Sequence, residues 1–444
     1  IDAGMFQGLK KLRLLNWAKP AFDPRKVDAL LLTHAHIDHS GRIPCLVKNG
    51  FQGDIYCTAA TRDLCAAMLM DSAFIQEKDV EYVNRRRKKN GQRAFEPLYT
   101  KADAAKSMAQ FVGLSYNRRH RICPGVHLTL VDAGHMLGSA HVILDIVEQE
   151  TGSNRRLVFS GDIGRPDIPI IRDPEPINGG CDTLIMESTY GNRRHRDLQH
   201  TIDEIGEIIS AARHDRGNLL IPAFSIGRSQ EILYLLGTHY QEWALDPWHI
   251  FLDSPMAIQA THIYWDYPHL YDEEATRLRR DIHEMPLLRN LHLTSSVAES
   301  QVINRLQSGA IIIAGSGMCN GGRILHHLKH NIWRRECHVV IVGYQAYGTL
   351  GRRLVNGEDE VRIHGEMLQV RAKIHTVGGL SAHADQADLL RWIGGFRGKP
   401  RVFVVHGEPD TRAAFSRLLG DRLNLAATAP GPGDVVDLAS IGTA

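Results

Sequence analysis

Three histidines and an aspartate fall within six positions of the stretch THAHIDH, as His34, His36, Asp38 and His39. Imidazole and carboxylate groups are the common ligands of zinc. The cluster follows the apolar run VDALLLT, so it is expected at the end of a buried strand. In extended backbone, side chains at i and i+2 point the same way, so His34 and His36 are expected to grip one ion. The turn that follows aims Asp38 and His39 at a second. Ser40-Gly41 then opens an expected helix over RIPCLVKNG. A polar surface loop is the alternative, but four ligating side chains at this spacing argue against it. Two ions about 3.5–4 Å apart need more ligands, ideally with one carboxylate shared between them. Other strand ends offer His135, in LVDAGHMLGSAH, and Asp162, in LVFSGDIGRPD; both sit in Gly-flanked turns where a side chain can reach a cleft. His141 opens the next strand and reads as structural.

The elements that must carry these groups have an α/β texture. Up to about residue 190, strand-length runs such as VHLTLVD, HVILDIV and DTLIME are bounded by turn residues and alternate with helical stretches. From 191 to 372, long helical patterns over TIDEIGEIISAARH and RSQEILYLLGTHYQEWAL mix with the apolar runs NLLIPAF, HIFLDSP, GAIIIAGSG and CHVVIVGYQ. These are the marks of a second α/β unit with a parallel sheet. From 373 to 444 the first style returns, ending in a Pro-, Gly- and Ala-rich tail after Ala426.

Composition narrows the partners. Lys plus Arg number 52 against 50 for Asp plus Glu, so any polyanion site must be a local cleft. The 24 histidines tilt the reading toward metal. The seven cysteines are odd in number and form no C-x-x-C pair, which points to buried thiols and a cytoplasmic location. No apolar run is long enough to span a membrane. The opening Ile1-Asp2-Ala3-Gly4 reads like a strand ending in a loop, so preceding strands are expected to be missing.

THAHIDH, GHMLGSA and FSGDIG together resemble the metallo-β-lactamase superfamily. MESTYGNRRH, IPAFSIGRSQEIL, DSPMA, AGSGMCNGGR, GGLSAHADQADLLRWI and VFVVHGE are similar to its β-CASP branch, which includes the pre-mRNA 3′-end cleavage endonuclease and its bacterial and archaeal relatives. The resemblance covers nearly the whole chain. It implies an αββα metallo-β-lactamase sandwich, residues 1–190 and 373–444, interrupted by an α/β β-CASP domain over 191–372. It implies two Zn2+ per chain, one held by His34, His36 and His135 and the other by Asp38, His39 and His406, with Asp162 bridging. Asp2 matches a motif that orders the metal loop without being a ligand.

The resemblance also implies chemistry. Two zinc ions lower the pKa of a shared water to about 7, giving a nucleophile for in-line attack on a phosphodiester. His383 is the candidate general acid, with Glu187 fixing its tautomer; capping of the STYG turn is the plainer reading of Glu187. Asp38 belongs to the catalytic set through its metal. Products with a 5′-phosphate and a 3′-hydroxyl are implied. In this family RNA-directed members have a histidine at the position of His406 and DNA-repair members a valine, which favours single-stranded RNA as partner.

Ser225 and Arg228, Ser316 and Gly317 are expected at Gly-rich helix starts suited to phosphate, and Ser381 lies two residues before His383. Each could equally be a cap or a tight turn. The run RRRKK at 85–89 reads as a solvated helix face before an RNA contact. Two rivals stand: a DNA nuclease of the same fold, and a non-catalytic RNA-binding subunit, which would have lost ligands that this chain retains. Endonuclease and 5′-to-3′ exonuclease modes are both open, as is a homodimer.

Overall fold

The computed structural model describes residues 1–8, 10–148, 152–281 and 288–438. The chain divides into two compact units, the first comprising 1–167, 172–194 and 382–444 and the second 168–171 and 195–381.

The first unit has two sheets. Three parallel strands, Ala29–Leu31, Asp54–Thr58 and Phe111–Leu114, form the smaller. The larger has seven strands, ordered Ala427–Thr428, Arg401–Val404, Thr183–Met186, Asn154–Phe159, Ala140–Val147, Val126–Asp132 and His120–Cys123. Leu31 of the small sheet packs with Leu128, Leu130 and Val142 of the large one, closing the apolar layer between them. On the outer face of the large sheet, Leu389 and Ile393 of helix Gln386–Gly394 and Phe415 and Leu419 of helix Pro409–Leu423 bury against Val158, Leu184 and Val402. Helix Ala59–Lys89 covers the small sheet with its first half, burying Leu64, Cys65 and Leu69, and ends in the exposed basic run. The result is the αββα layering expected from the sequence.

Two local differences concern the metal-loop residues. The strand over VDALLLT stops at Leu31, leaving His34 and His36 in extended loop. A one-turn helix, Ile37–Ser40, already contains Asp38 and His39, so helical backbone starts earlier than Ser40-Gly41 suggests. Its turn is closed by Ser40, whose hydroxyl donates to Ala35 O at 2.9 Å and His36 O at 3.0 Å.

The second unit is built on six parallel strands in the order Leu291–Leu293, His249–Leu252, Ala310–Ala314, Leu219–Pro222, His338–Ile341 and Lys373–Thr376. Strand Lys373–Thr376, read from sequence as part of the returning C-terminal segment, pairs with His338–Ile341 and belongs to this sheet. Its exposed pattern gives no hint of its partner, which only long-range pairing decides.

Asp253, 0% exposed, ties this unit together. Its Oδ1 accepts from Thr294 Oγ1 and Arg323 Nη1, both at 2.6 Å, and its Oδ2 accepts from Ser300 Oγ at 2.6 Å and His327 Nε2 at 2.7 Å. Burial pushes the carboxyl up, but the bonds from His327, Ser300 and Thr294 outweigh it and hold its pKa at about 2. Asp253→Ala leaves the fully buried His327 and the partly buried Arg323 without their carboxylate, so the transition for this unit in chemical denaturation is expected to lose about 3–5 kcal/mol. No helix among the described residues is long and apolar enough to cross a membrane.

Candidate metal centre

The candidate site residues stand on loops leaving the carboxyl ends of the first unit's strands. His34 and His36 follow Ala29–Leu31, His135 follows Val126–Asp132, Asp162 follows Asn154–Phe159, Glu187 follows Thr183–Met186 and His406 follows Arg401–Val404. Glycine makes two of these turns possible. Gly134 and Gly161 have φ of 60° and 56°, and a Cβ on Gly134 would lie 2.4 Å from Pro174 N.

Two groups of ligand atoms converge. His34 Nε2 lies 3.1 Å and His135 Nε2 3.2 Å from His36 Nδ1, and these two Nε2 atoms lie 3.5 and 3.6 Å from Asp162 Oδ2. In the other group His39 Nε2 is 3.1 Å from His406 Nε2, which is 3.7 Å from Asp38 Oδ2. Asp162 Oδ1 faces this second group, 3.4 Å from His39 Nε2 and 3.7 Å from His406 Nε2. Ligands about 2.0–2.1 Å from one tetrahedral zinc stand roughly 3.4 Å apart, so both groups have the right spacing for a metal. Asp162 gives one oxygen to each. It is 2% exposed, and its Oδ1 takes no hydrogen bond among the described residues. A buried carboxylate oxygen ringed by ring nitrogens and lacking a donor fits a cation.

Electrostatics point the same way. Burial holds His34 and His135 well below the ordinary histidine value and His36 at about 4, so these rings are neutral with a free lone pair. Asp162, against the opposing effect of burial, holds His406 up at about 9. Burial works against a charge on His39 too, but Asp162 and Asp2 outweigh it and raise it well above 6.5. The acidic side therefore attracts positive charge, whether proton or metal.

The outer ring nitrogens are also engaged. Asp2 Oδ2 accepts from His39 Nδ1 at 2.7 Å and from Thr33 Oγ1 at 2.9 Å, while its Oδ1 accepts from Thr33 N at 2.8 Å. Thr33 Oγ1 lies 3.0 Å from His34 Nδ1, Ala382 O 3.3 Å from His135 Nδ1 and Thr189 Oγ1 3.1 Å from His406 Nδ1. Partners of this kind aim a ligand and fix its tautomer. Thr33 and Thr189 escaped the sequence reading, and their only signal is adjacency to a ligand or to Glu187. Asp2→Ala is expected to weaken metal binding about 10–100-fold, measured by competition with a chromophoric chelator, while leaving Asp162 in place.

His383 stands beside this centre, its Nδ1 3.3 Å from Glu187 Oε1 and 3.9 Å from Asp162 Oδ2. Glu187 also accepts from Ile163 N at 2.6 Å and Thr189 N at 3.2 Å, so it holds the ring and caps the turn at once. Burial lowers the His383 pKa, but Glu187 and Asp162 more than compensate, leaving it raised. Ala384 N, bonded to Ile163 O at 2.8 Å, locks this loop to the Asp162 turn. His141 is remote from ligation: it is buried, and Nδ1 donates to Ser160 O at 2.6 Å.

Three family models match this chain. Residues 1–222 match a Beta-lactamase superfamily domain, 229–354 a Beta-Casp domain and 367–429 a Zn-dependent metallo-hydrolase RNA specificity domain. The chain belongs to the β-CASP nuclease branch of the metallo-β-lactamase superfamily. Ribonuclease TTHA0252 of Thermus thermophilus is 36% identical over 431 residues, 96% of this chain and 92% of that protein. Transcription termination factor FttA of Pyrococcus abyssi is 34% identical over 430 residues, and that of Methanocaldococcus jannaschii 29% over 419. This chain spans 62% and 63% of those two proteins.

The β-CASP residues singled out for phosphate, Ser225, Arg228, Ser316, Gly317 and Ser381, all belong to the second unit. Arg228 opens helix Arg228–Thr238, but its guanidinium is largely buried in an ion pair with Glu231. Ser225 Oγ lies 3.3 Å from Ser254 Oγ. Ser316 and Gly317 do not start a helix, because the next one begins at Ile324. Instead, the Ser316 hydroxyl accepts from Asn320 N at 3.0 Å and Gly321 N at 3.3 Å, closing a tight turn. Ser381 is half-buried.

Proposed function

We propose that this protein is a ribonuclease that hydrolyses phosphodiester bonds of single-stranded RNA, binding two zinc ions, and that it works in the cytoplasm in RNA processing or decay. The observation that carries this reading is Asp162, which presents one carboxylate oxygen to each of two ligand groups. Asp162 with His34, His36 and His135 would hold one ion, and Asp162 with Asp38, His39 and His406 the other. When bound, such a pair supplies Lewis acidity, acidifying water toward neutral pH and offsetting the charge that gathers on a phosphate.

The remaining steps fall to the chain itself. Glu187 accepts from His383 Nδ1, which leaves Nε2 to carry the proton that the departing oxygen needs. The raised pKa of His383 keeps that proton available at neutral pH. The seven cysteines are free thiols, in keeping with a reducing compartment. His406, together with the RNA specificity domain matched at 367–429 and the ribonuclease among the relatives, supports RNA over DNA.

Matched RNA and DNA oligonucleotides of one sequence test the reading. RNA should be cut to products with a 5′-phosphate and a 3′-hydroxyl, with DNA cut far more slowly; equal rates would sink the RNA assignment. Circular RNA separates the modes, because only an endonuclease opens a circle.

A further inference from the structure

In the second unit's parallel sheet, Leu219–Pro222 and His338–Ile341 are neighbours. The chain leaves the first toward His249–Leu252 on one side and leaves the second toward Lys373–Thr376 on the other. Open α/β sheets bind ligands beyond the carboxyl ends of two strands whose connections diverge in this way.

Aromatic rings follow both strands. Phe224 follows the first strand and is 43% exposed, while Tyr344 and Tyr347 follow the second and are 55% and 82% exposed. One turn joins the two segments: a Cβ on Gly317 would lie 2.9 Å from the Phe224 ring, and Gln345 Nε2 donates to Gly317 O at 2.9 Å. The Phe224 ring and the segment that carries Tyr344 and Tyr347 are thus both tied to one tight turn. Exposed large rings gathered at one place mark a binding surface. The neighbouring chain positions Ser316, Asn320, Gly321, Gly343 and Gly348 are small or polar. Arg352, exposed in the next helix Leu350–Val355, has no acidic partner among the described residues and can meet a phosphate.

We infer that Phe224, Tyr344 and Tyr347 form a stacking platform for the unpaired bases of single-stranded RNA. The inference rests on the ribonuclease reading and adds to it how the substrate is held, since every base offers a π-face to an aromatic ring without regard to sequence.

The test is binding of a fluorescent, hydrolysis-resistant phosphorothioate oligoribonucleotide, and of its abasic counterpart, to the metal-loaded protein by anisotropy. Phe224→Ala and Tyr347→Ala should each weaken binding of the intact strand about 10-fold, and the triple alanine variant about 100-fold or more. The abasic strand should bind all of them alike. Phe224→Leu, which keeps the packing on Gly317, should bind as weakly as Phe224→Ala. Full affinity in the triple variant, equal losses for the intact and abasic strands, or recovery in Phe224→Leu would each overturn the platform. RNA cleavage by the unaltered protein is read in parallel. Cleavage with platform-independent binding removes the platform alone, whereas platform-dependent binding without any cleavage removes the ribonuclease reading.

Discussion

Asp162→Ala is expected to abolish RNA cleavage, with a loss of more than about 10^3-fold, and to lower bound zinc below two ions per chain. The size of the effect follows from position. Among the described residues Asp162 is the one side chain that faces both ligand groups, so its removal opens a corner of each. It also leaves His39 and His406 without the carboxylate that raises them. Asp162→Asn separates charge from bulk: it preserves the shape of the turn after Gly161 but offers one weak acceptor and one donor. Zinc by mass spectrometry and cleavage of labelled RNA should fall together in both variants. Wild-type zinc content with wild-type cleavage in Asp162→Ala would remove Asp162 from the centre.

His383→Ala is the second large effect, and of a different kind. Zinc content should be kept, because His383 belongs to neither ligand group, while cleavage of ordinary RNA should drop about 10^2–10^4-fold, the worth of a positioned acid. A leaving group that needs no proton distinguishes acid from scaffold. An aryl phosphodiester with a nitrophenolate leaving group should be cut nearly as well by His383→Ala as by the unaltered protein. Glu187→Gln should show the same split in weaker form, since Glu187 reaches the departing oxygen through the ring it orients. An equal loss on both substrates would falsify the acid assignment.

Much of this site is legible in sequence because ligation is local in its demands. His34, His36, Asp38 and His39 announce themselves by residue type and spacing, and His135 and Asp162 by their place after apolar runs between glycines. His406, His383 and Glu187 are single residues in otherwise ordinary loops, and only their resemblance to family motifs singles them out. The helical turn Ile37–Ser40 was hidden, because four residues leave no periodic pattern; its backbone bonds to His36 O and Ile37 O are supplemented by the Ser40 hydroxyl. The full 31-residue length of helix Ala59–Lys89 was hidden too, since its second half turns no apolar face to a core. In the second unit, the Gly-rich stretch around Ser316 looked like a helix start; the structure spends those residues on a turn closed by a serine hydroxyl. The place of Lys373–Thr376 was illegible because pairing between strands far apart in sequence leaves no local mark.

The candidate ligands run from His34 to His406, and His406 follows Arg401–Val404, an interior strand of the seven-stranded sheet. A polypeptide still emerging from the ribosome therefore has no complete site until the segment through His406 is made. Ribosome-held chains ending before Arg401 should show no cleavage of added RNA, and full-length released chains should show it.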